Sequence, residues 1–231
     1  YLHLDRDLSG PKTGRNGRHP LPERSVFSAT LGRLGVTPAT QVIVLDRQGG
    51  TYAARLWWML RWLGHEAVAV PDGGLQAWPA AGGDVDSSEP QPRAAAPYPD
   101  RQPLAAVTSA DALAAQLGRV KLVDARAGER FRGEVEPLDK AAGHIPGALN
   151  RFFKDNLAAD GRFKPADTLR GEYLALLGGD AAAGTVHQCG SGVTACHNLL
   201  AMEHAGLAGS RLYPGSWSEW SSDPARPVAR G

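Results

Sequence analysis

Val186-His187-Gln188-Cys189-Gly190-Ser191-Gly192-Val193-Thr194-Ala195-Cys196 joins a strand pattern to a thiol, a turn of small residues and an apolar helical period. The strand begins at Thr185, the helix is expected from Val193 to about Ala205, and a further strand lies near Arg211-Leu212-Tyr213. The unit closes on Pro214-Gly215-Ser216-Trp217-Ser218-Glu219-Trp220. The same order occurs earlier in the chain. Gln41-Val42-Ile43-Val44-Leu45-Asp46 reads as a strand, Gly49-Gly50 as a turn, and Thr51 to Leu63 as a helix with Ala53, Leu56, Trp57, Leu60 and Leu63 at helical spacing. Ala67-Val68-Ala69-Val70 then leads into Asp72-Gly73-Gly74-Leu75-Gln76-Ala77-Trp78. Asp46 to Trp78 spans 32 positions and Cys189 to Trp220 spans 31, so the two segments superpose with almost no gap. Asp46 therefore stands where the second copy has Cys189.

An internal repeat of this kind fixes architecture before any single motif is trusted. Strands alternating with helices imply an α/β chain of two tandem domains, each a mainly parallel sheet flanked by helices, with the site at the carboxyl ends of the strands. The stretch from Pro79 to Pro103 holds six prolines and suits an extended linker. Residues 1–80 are thus read as the first domain, 81–103 as the linker and 104–231 as the second domain. The second copy has an additional block: a helix near Ser109 to Leu117, the strand Val120-Lys121-Leu122-Val123-Asp124, and the turn Gly143-His144-Ile145-Pro146-Gly147-Ala148. Leu4-Asp5-Arg6-Asp7-Leu8 matches Phe153-Lys154-Asp155-Asn156-Leu157, which places about 40 to 50 residues of the first domain ahead of Tyr1.

With 25 basic and 24 acidic residues, a formal charge of +1 and 42% apolar residues, the composition is that of a globular domain without electrostatic bias towards nucleic acid or anionic lipid. No apolar run approaches the roughly 20 residues of a membrane span, and Tyr1 to Asp7 lacks the apolar stretch of a secretion signal. Two cysteines seven positions apart make neither a disulfide framework nor a metal site. No cofactor or metal is expected, and a cytoplasmic, thiol-reducing setting is.

A thiol between a strand and a helix N-terminus suits an anion, because unpaired N–H groups and the helix dipole favour the thiolate. Gly190 and Gly192 let successive N–H groups of the loop turn inward as a nest for sulfur and for a leaving group. The competing reading is a small buried apolar residue; the glycines flanking Ser191 leave Cys189 little apolar cover, which favours chemistry. Cys196 shares a helical stripe with Leu199 and Leu200 and is read as core. The Trp57, Trp58 and Trp62 cluster is likewise read as packing. A cysteine phosphatase needs an arginine six positions after its cysteine, and Ala195 stands there; a Walker-type phosphate loop fails because no Gly-Lys-Ser/Thr follows Gly192.

The loop Cys189-Gly190-Ser191-Gly192-Val193-Thr194-Ala195-Cys196 is similar to the active-site loop of rhodanese-type sulfurtransferases, most closely the 3-mercaptopyruvate class. Thiosulfate-using relatives usually carry basic residues directly after the cysteine, where this chain has Gly190 and Ser191. Val123-Asp124-Ala125-Arg126, Arg130-Phe131-Arg132-Gly133, the 143–148 turn and Gly215 to Trp220 also look like family segments. The resemblance implies that a Cys189 thiolate takes sulfur from 3-mercaptopyruvate, releases pyruvate and passes the persulfide sulfur to a thiol or cyanide, with thioredoxin-like acceptors. It makes Arg130 the carboxylate-binding arginine and gives Gly190, Gly192, Val193 and Thr194 to the substrate-binding loop. A second family arginine has no match in Glu136-Pro137-Leu138-Asp139-Lys140, leaving Lys140 or Arg132 as substitutes. Ser191 is either a loop hydroxyl bonding substrate or part of a Ser-His-Asp relay whose His and Asp are expected ahead of Tyr1. His144 is read as structural, Asp124 and Arg126 as a turn-stabilising pair, and Arg15, Arg18 and His19 as a solvated basic loop or one facing the cleft. A thiosulfate sulfurtransferase and a persulfide carrier without efficient turnover are the alternatives.

Overall fold

The computed structural model describes residues 1–91, 93–179 and 183–231. The first part comprises α1 (Leu4–Asp7), α2 (Arg24–Arg33), β1 (Val42–Ile43), α3 (Ala53–Trp62), β2 (Val68–Ala69) and α4 (Gly74–Ala80). The second begins with β3 (Ala106–Val107), α5 (Ala110–Ala114), β4 (Leu122–Asp124), α6 (Gly128–Arg132) and β5 (Ala148–Asn150). A short 3-10 helix (Phe153–Asn156) then precedes α7 (Ala166–Leu177), β6 (Val186–Gln188), α8 (Ala195–His204), β7 (Arg211–Leu212) and α9 (Ser216–Trp220).

β1 and β2 pair in parallel, and the second sheet has the order β3-β7-β6-β4-β5 with every pair parallel. This is the α/β repeat expected from the periodicity. β4 and β6 are adjacent central strands, with Asp124 opposite Gln188. Their connections leave in opposite directions, so the crevice at their carboxyl ends is where a parallel sheet of this kind binds ligands. Cys189 follows β6 and Arg130 lies in the helix after β4.

The equivalent helices of the two copies, α3 and α8, pack against each other. They share one core: Phe27, Leu31, Trp57, Trp58, Met59 and Leu60 meet Ala125, Cys196, Leu199 and Leu212. The tryptophan cluster is packing, with Trp58 1% exposed and stacked on Trp62. Polar contacts reinforce the seam. His197 Nε2 donates to Gly49 O at 3.0 Å, and Phe163 N donates to Asp72 Oδ1 at 2.8 Å.

Elements are shorter than the hydrophobic pattern suggests. Only Val42 and Ile43 are laddered, although Val44 N still reaches Ala69 O at 2.9 Å. Both central helices begin two residues later than expected, at Ala53 and Ala195; in the first copy Tyr52 N and Ala53 N turn to the Asp46 carboxylate instead. The proline-rich stretch needs a correction: Pro79 lies inside α4, and Tyr98 is buried against the first domain. Ser28 Oγ donates to Tyr98 O at 2.5 Å, and the Tyr98 hydroxyl meets His65 Nδ1 at 3.0 Å. The backbone crosses so closely that a Cβ on Gly64, at φ +82°, would sit 2.5 Å from Gln102 O. Pro92 lies outside the described residues. A tyrosine buries enough apolar area to anchor a strand that has no ladder of its own.

Two histidines sit deep in the second domain. Burial holds His187 down to about 3 and His197 to about 4, both neutral at pH 7. An unfolded chain binds protons on these rings near pH 6.5 that the folded chain refuses, so stability falls as pH drops through that value towards 4. Thermal melting from pH 7 to 4.5 is expected to show a falling Tm, with a shallower slope in His197→Gln; equal slopes would contradict neutral burial of His197.

Candidate active site

The turn after β6 is held from below by the segment that leads into α9. Cys189 N donates to Ser216 Oγ at 3.1 Å, and that hydroxyl donates to Tyr213 O at 3.0 Å. Trp217 N and Ser218 N donate to Cys189 O and Gly190 O at 3.0 and 2.9 Å. Ser216 takes a φ of 53°, the one positive value on a non-glycine among the described residues, a strained geometry that such pinning sustains. Gly192, at φ +78°, passes so near that a Cβ would lie 2.2 Å from Pro214 O. Its N–H points at Cys189 Sγ, 3.2 Å away. The N–H groups of Gly190, Ser191, Val193 and Thr194 take no acceptor among the described residues, so the turn keeps donors free for an anion beside a cysteine only 2% exposed.

The first copy shows what such a turn does with an anion. Asp46, at the position of Cys189, accepts N–H bonds from Gln48, Gly50, Tyr52 and Ala53 at 2.8, 2.9, 2.7 and 2.9 Å. That carboxylate fills its own nest, whereas the second copy places a thiol against donors that remain free.

A histidine and an aspartate, which the resemblance places ahead of Tyr1, stand in line with Ser191 within the chain as His19 and Asp5. His19 Nδ1 is 2.8 Å from Ser191 Oγ, and its Nε2 is 3.6 Å from Asp5 Oδ1. The network assigns the hydroxyl proton towards Nδ1 and the ring proton to Nε2, facing the carboxylate. Burial lowers His19 to about 4 against the pull of Asp5, so the imidazole is neutral and able to accept a proton. Lys12, 2.7 Å from Asp5, keeps that carboxyl below its ordinary range. The 11–22 loop is therefore a built wall of the site. Its prolines at 11, 20 and 22 and glycines at 14 and 17 were the signal of a fixed path.

Two guanidiniums flank Gly190. A Cβ there would meet Arg18 Nη2 at 2.9 Å and Arg130 Nη1 at 3.5 Å. Arg18, not Lys140 or Arg132, is the second cation: Arg132 is exposed and pairs with Glu134 at 2.7 Å, and Lys140 is exposed. Arg18 N donates to Ser218 Oγ at 3.0 Å, which fixes its loop to the second domain. Both arginines already hold carboxylates. Arg18 pairs with Asp139, and Arg130 reaches Glu136 at 2.7 Å and Asp139 at 3.3 Å. Burial raises the Asp139 carboxyl despite Arg18, whereas burial of Glu136 is more than offset by Arg130 and two backbone N–H groups.

A sequence model of the rhodanese-like domain matches residues 2–81 and 109–223. The chain belongs to the rhodanese-like domain family. It is 48% identical, over its whole length and 82% of the relative, to a probable 3-mercaptopyruvate sulfurtransferase of Pseudomonas aeruginosa. A putative thiosulfate sulfurtransferase, SseB, of Mycobacterium tuberculosis is 40% identical over all of this chain and 81% of its own. Among solved structures, a 3-mercaptopyruvate sulfurtransferase from Leishmania major superposes with a TM-score of 0.83 at 33% identity, covering 94% of this chain. The chain spans 61% of that longer one.

The remaining rhodanese segments are structural. Arg126 wraps Asp124 with contacts of 2.7 and 3.0 Å, donates to Gly143 O at 2.7 Å and stacks over Trp217. His144 Nδ1 meets Phe131 O at 2.8 Å with the two rings stacked, away from the thiol. Cys196 is fully buried, and burial pushes its thiol up to about 12, so it carries no thiolate at neutral pH. Among the described residues no group of three or more His, Cys, Asp or Glu could hold a metal ion, and no helix is long and apolar enough to cross a membrane.

Because Gly192 has both a left-handed φ and a backbone oxygen in the Cβ position, Gly192→Ala is expected to lower stability by about 1–3 kcal/mol. It should also slow alkylation of Cys189. Denaturant melts and iodoacetamide kinetics check this, and wild-type values in both would show that the turn tolerates displacement.

Proposed function

We propose that this chain is a sulfurtransferase that takes sulfur from 3-mercaptopyruvate onto Cys189, releases pyruvate and delivers the sulfur to a thiol or cyanide. The observation that carries the reading is the convergence on one thiol of free loop N–H groups, the Ser191–His19–Asp5 chain and two guanidiniums. The names of the P. aeruginosa and L. major relatives support the donor. The Cys189 thiolate attacks the donor sulfur; the C–S bond breaks and its electron pair passes to the pyruvate enolate. The donor's thiol proton moves through Ser191 and neutral His19 to the enolate carbon, leaving pyruvate and an anionic Cys189 persulfide. N–H groups of Gly190, Ser191, Val193 and Thr194 stabilise the charge that develops. Arg130 and Arg18 hold the donor carboxylate. An acceptor thiol, of the thioredoxin kind by resemblance, takes the outer sulfur in the second half of a ping-pong cycle. Two free cysteines suit a cytoplasmic, thiol-reducing setting.

The 40% identical thiosulfate-named relative favours thiosulfate as a second donor. The paired carboxylates argue against it as the main one. Glu136 and Asp139 already balance Arg130 and Arg18, which leaves a site suited to a monoanion over the thiosulfate dianion.

Intact-mass analysis after brief exposure to each donor, with pyruvate assayed alongside, is the test. A gain of one sulfur mapped to Cys189 with pyruvate released is expected, and its absence with both donors would favour a carrier. Cys189→Ser should abolish transfer. Arg130→Ala should raise KM for mercaptopyruvate by at least ~10-fold, and unchanged kinetics would remove Arg130 from the site. His19→Asn should lower kcat by about 100-fold or more while Cys189 remains alkylatable; an unaltered kcat would exclude the relay.

A further inference from the structure

Arg55, in the first-domain helix α3, is fully buried behind the Cys189 turn and belongs to none of the groups assigned above. Nη1 donates to Gly192 O at 3.0 Å, and Nη2 donates to Leu8 O and His19 O, both at 3.2 Å. Nε has no partner, and no carboxylate lies within 4.0 Å of the guanidinium among the described residues. The other buried arginine, Arg126, differs in having Asp124 and Glu136 as counter-ions. An isolated buried cation is costly enough that an anion is expected to balance it.

Resting on the reading of Cys189 as the sulfur carrier, we propose that Arg55 is a positioning residue and the counter-cation of the Cys189 sulfur anion. The geometry supports both parts. Gly192 faces the two groups with its two backbone atoms, its C=O on Arg55 and its N–H on Cys189 Sγ. The remaining arms hold Leu8 and His19, so one guanidinium ties the relay segment to the loop. Burial pulls the Arg55 pKa below its ordinary value, and the sulfurs of Cys196 and Cys189 oppose that only in part. Cys196, held as a neutral thiol, cannot be the balancing anion. The other ionisable groups at the Cys189 turn are His19 with Asp5, and Arg18 and Arg130 matched by Asp139 and Glu136; Glu219 of α9 faces Tyr213 and Arg226 instead. Thus the cations on the entry side are already balanced, and Arg55, approaching from behind, is the one whose partner is missing until sulfur ionises. Thiolate and persulfide are both anions, so Arg55 favours the carrier before and after loading.

The test compares the whole chain with Arg55→Gln, Arg55→Met and Arg55→Lys. Iodoacetamide alkylation mapped to Cys189 is followed against pH, circular dichroism and melting report folding, and persulfide loading by 3-mercaptopyruvate is measured in parallel. The neutral variants are expected to raise the alkylation midpoint by about 1 pH unit or more, with Lys much closer to wild type. A folded neutral variant with the wild-type midpoint overturns the inference. If only Lys folds, its alkylation midpoint decides: a value close to wild type supports the inference, and one raised by about 1 pH unit or more overturns it. If none of the three folds, Arg55 is a clamp only and the inference fails. A wild-type chain that never loads sulfur, beside a shifted midpoint in the variants, would sink the functional reading and leave this role of Arg55 intact.

Discussion

Six residues separate β6 from α8, and within them the chain must turn, present a thiol and keep several N–H groups unpaired. Unpaired buried donors are costly in an apolar interior unless an anion meets them. The neighbouring structure is arranged around that constraint. Gly192 adopts a conformation closed to side chains, and Ser216 accepts a strained one to bond Cys189 N. α9 is drawn under the turn by Trp217 and Ser218.

The first copy meets the same constraint by another route. Asp46 supplies its carboxylate to four donors, which fills that turn from within and leaves the first domain without a thiol there. What it supplies instead is side chains. His19, Arg18 and Arg55 all come from the first domain and all reach the turn of the second. The α3–α8 core is what makes this possible, because equivalent helices packed together bring the two turns and their surroundings face to face. The seam between the copies is consequently part of the site.

The charge pattern separates a balanced entrance from an unbalanced rear. At the entrance, arginines and carboxylates alternate, so under the proposed function a donor carboxylate exchanges with Asp139 and Glu136 instead of meeting bare cations. An exchange of this kind costs less desolvation than filling an uncompensated site, and it limits how much negative charge a donor can bring.

The α/β class, the repeat, the turn at Cys189 and the core role of Cys196 were legible in the sequence, because period, spacing and small-residue turns are local properties of the chain. Arg130 and the loop residues entered through resemblance, and the structure sets Arg130 beside Gly190. Asp5, His19, Arg18 and Arg55 were not legible as a set. A polar residue in a loop or on a helix looks the same whether it meets water or a partner about 170 positions away, as His19 meets Ser191. Only the packing of α3 on α8 decides which, since it removes the water and leaves these side chains one another to satisfy.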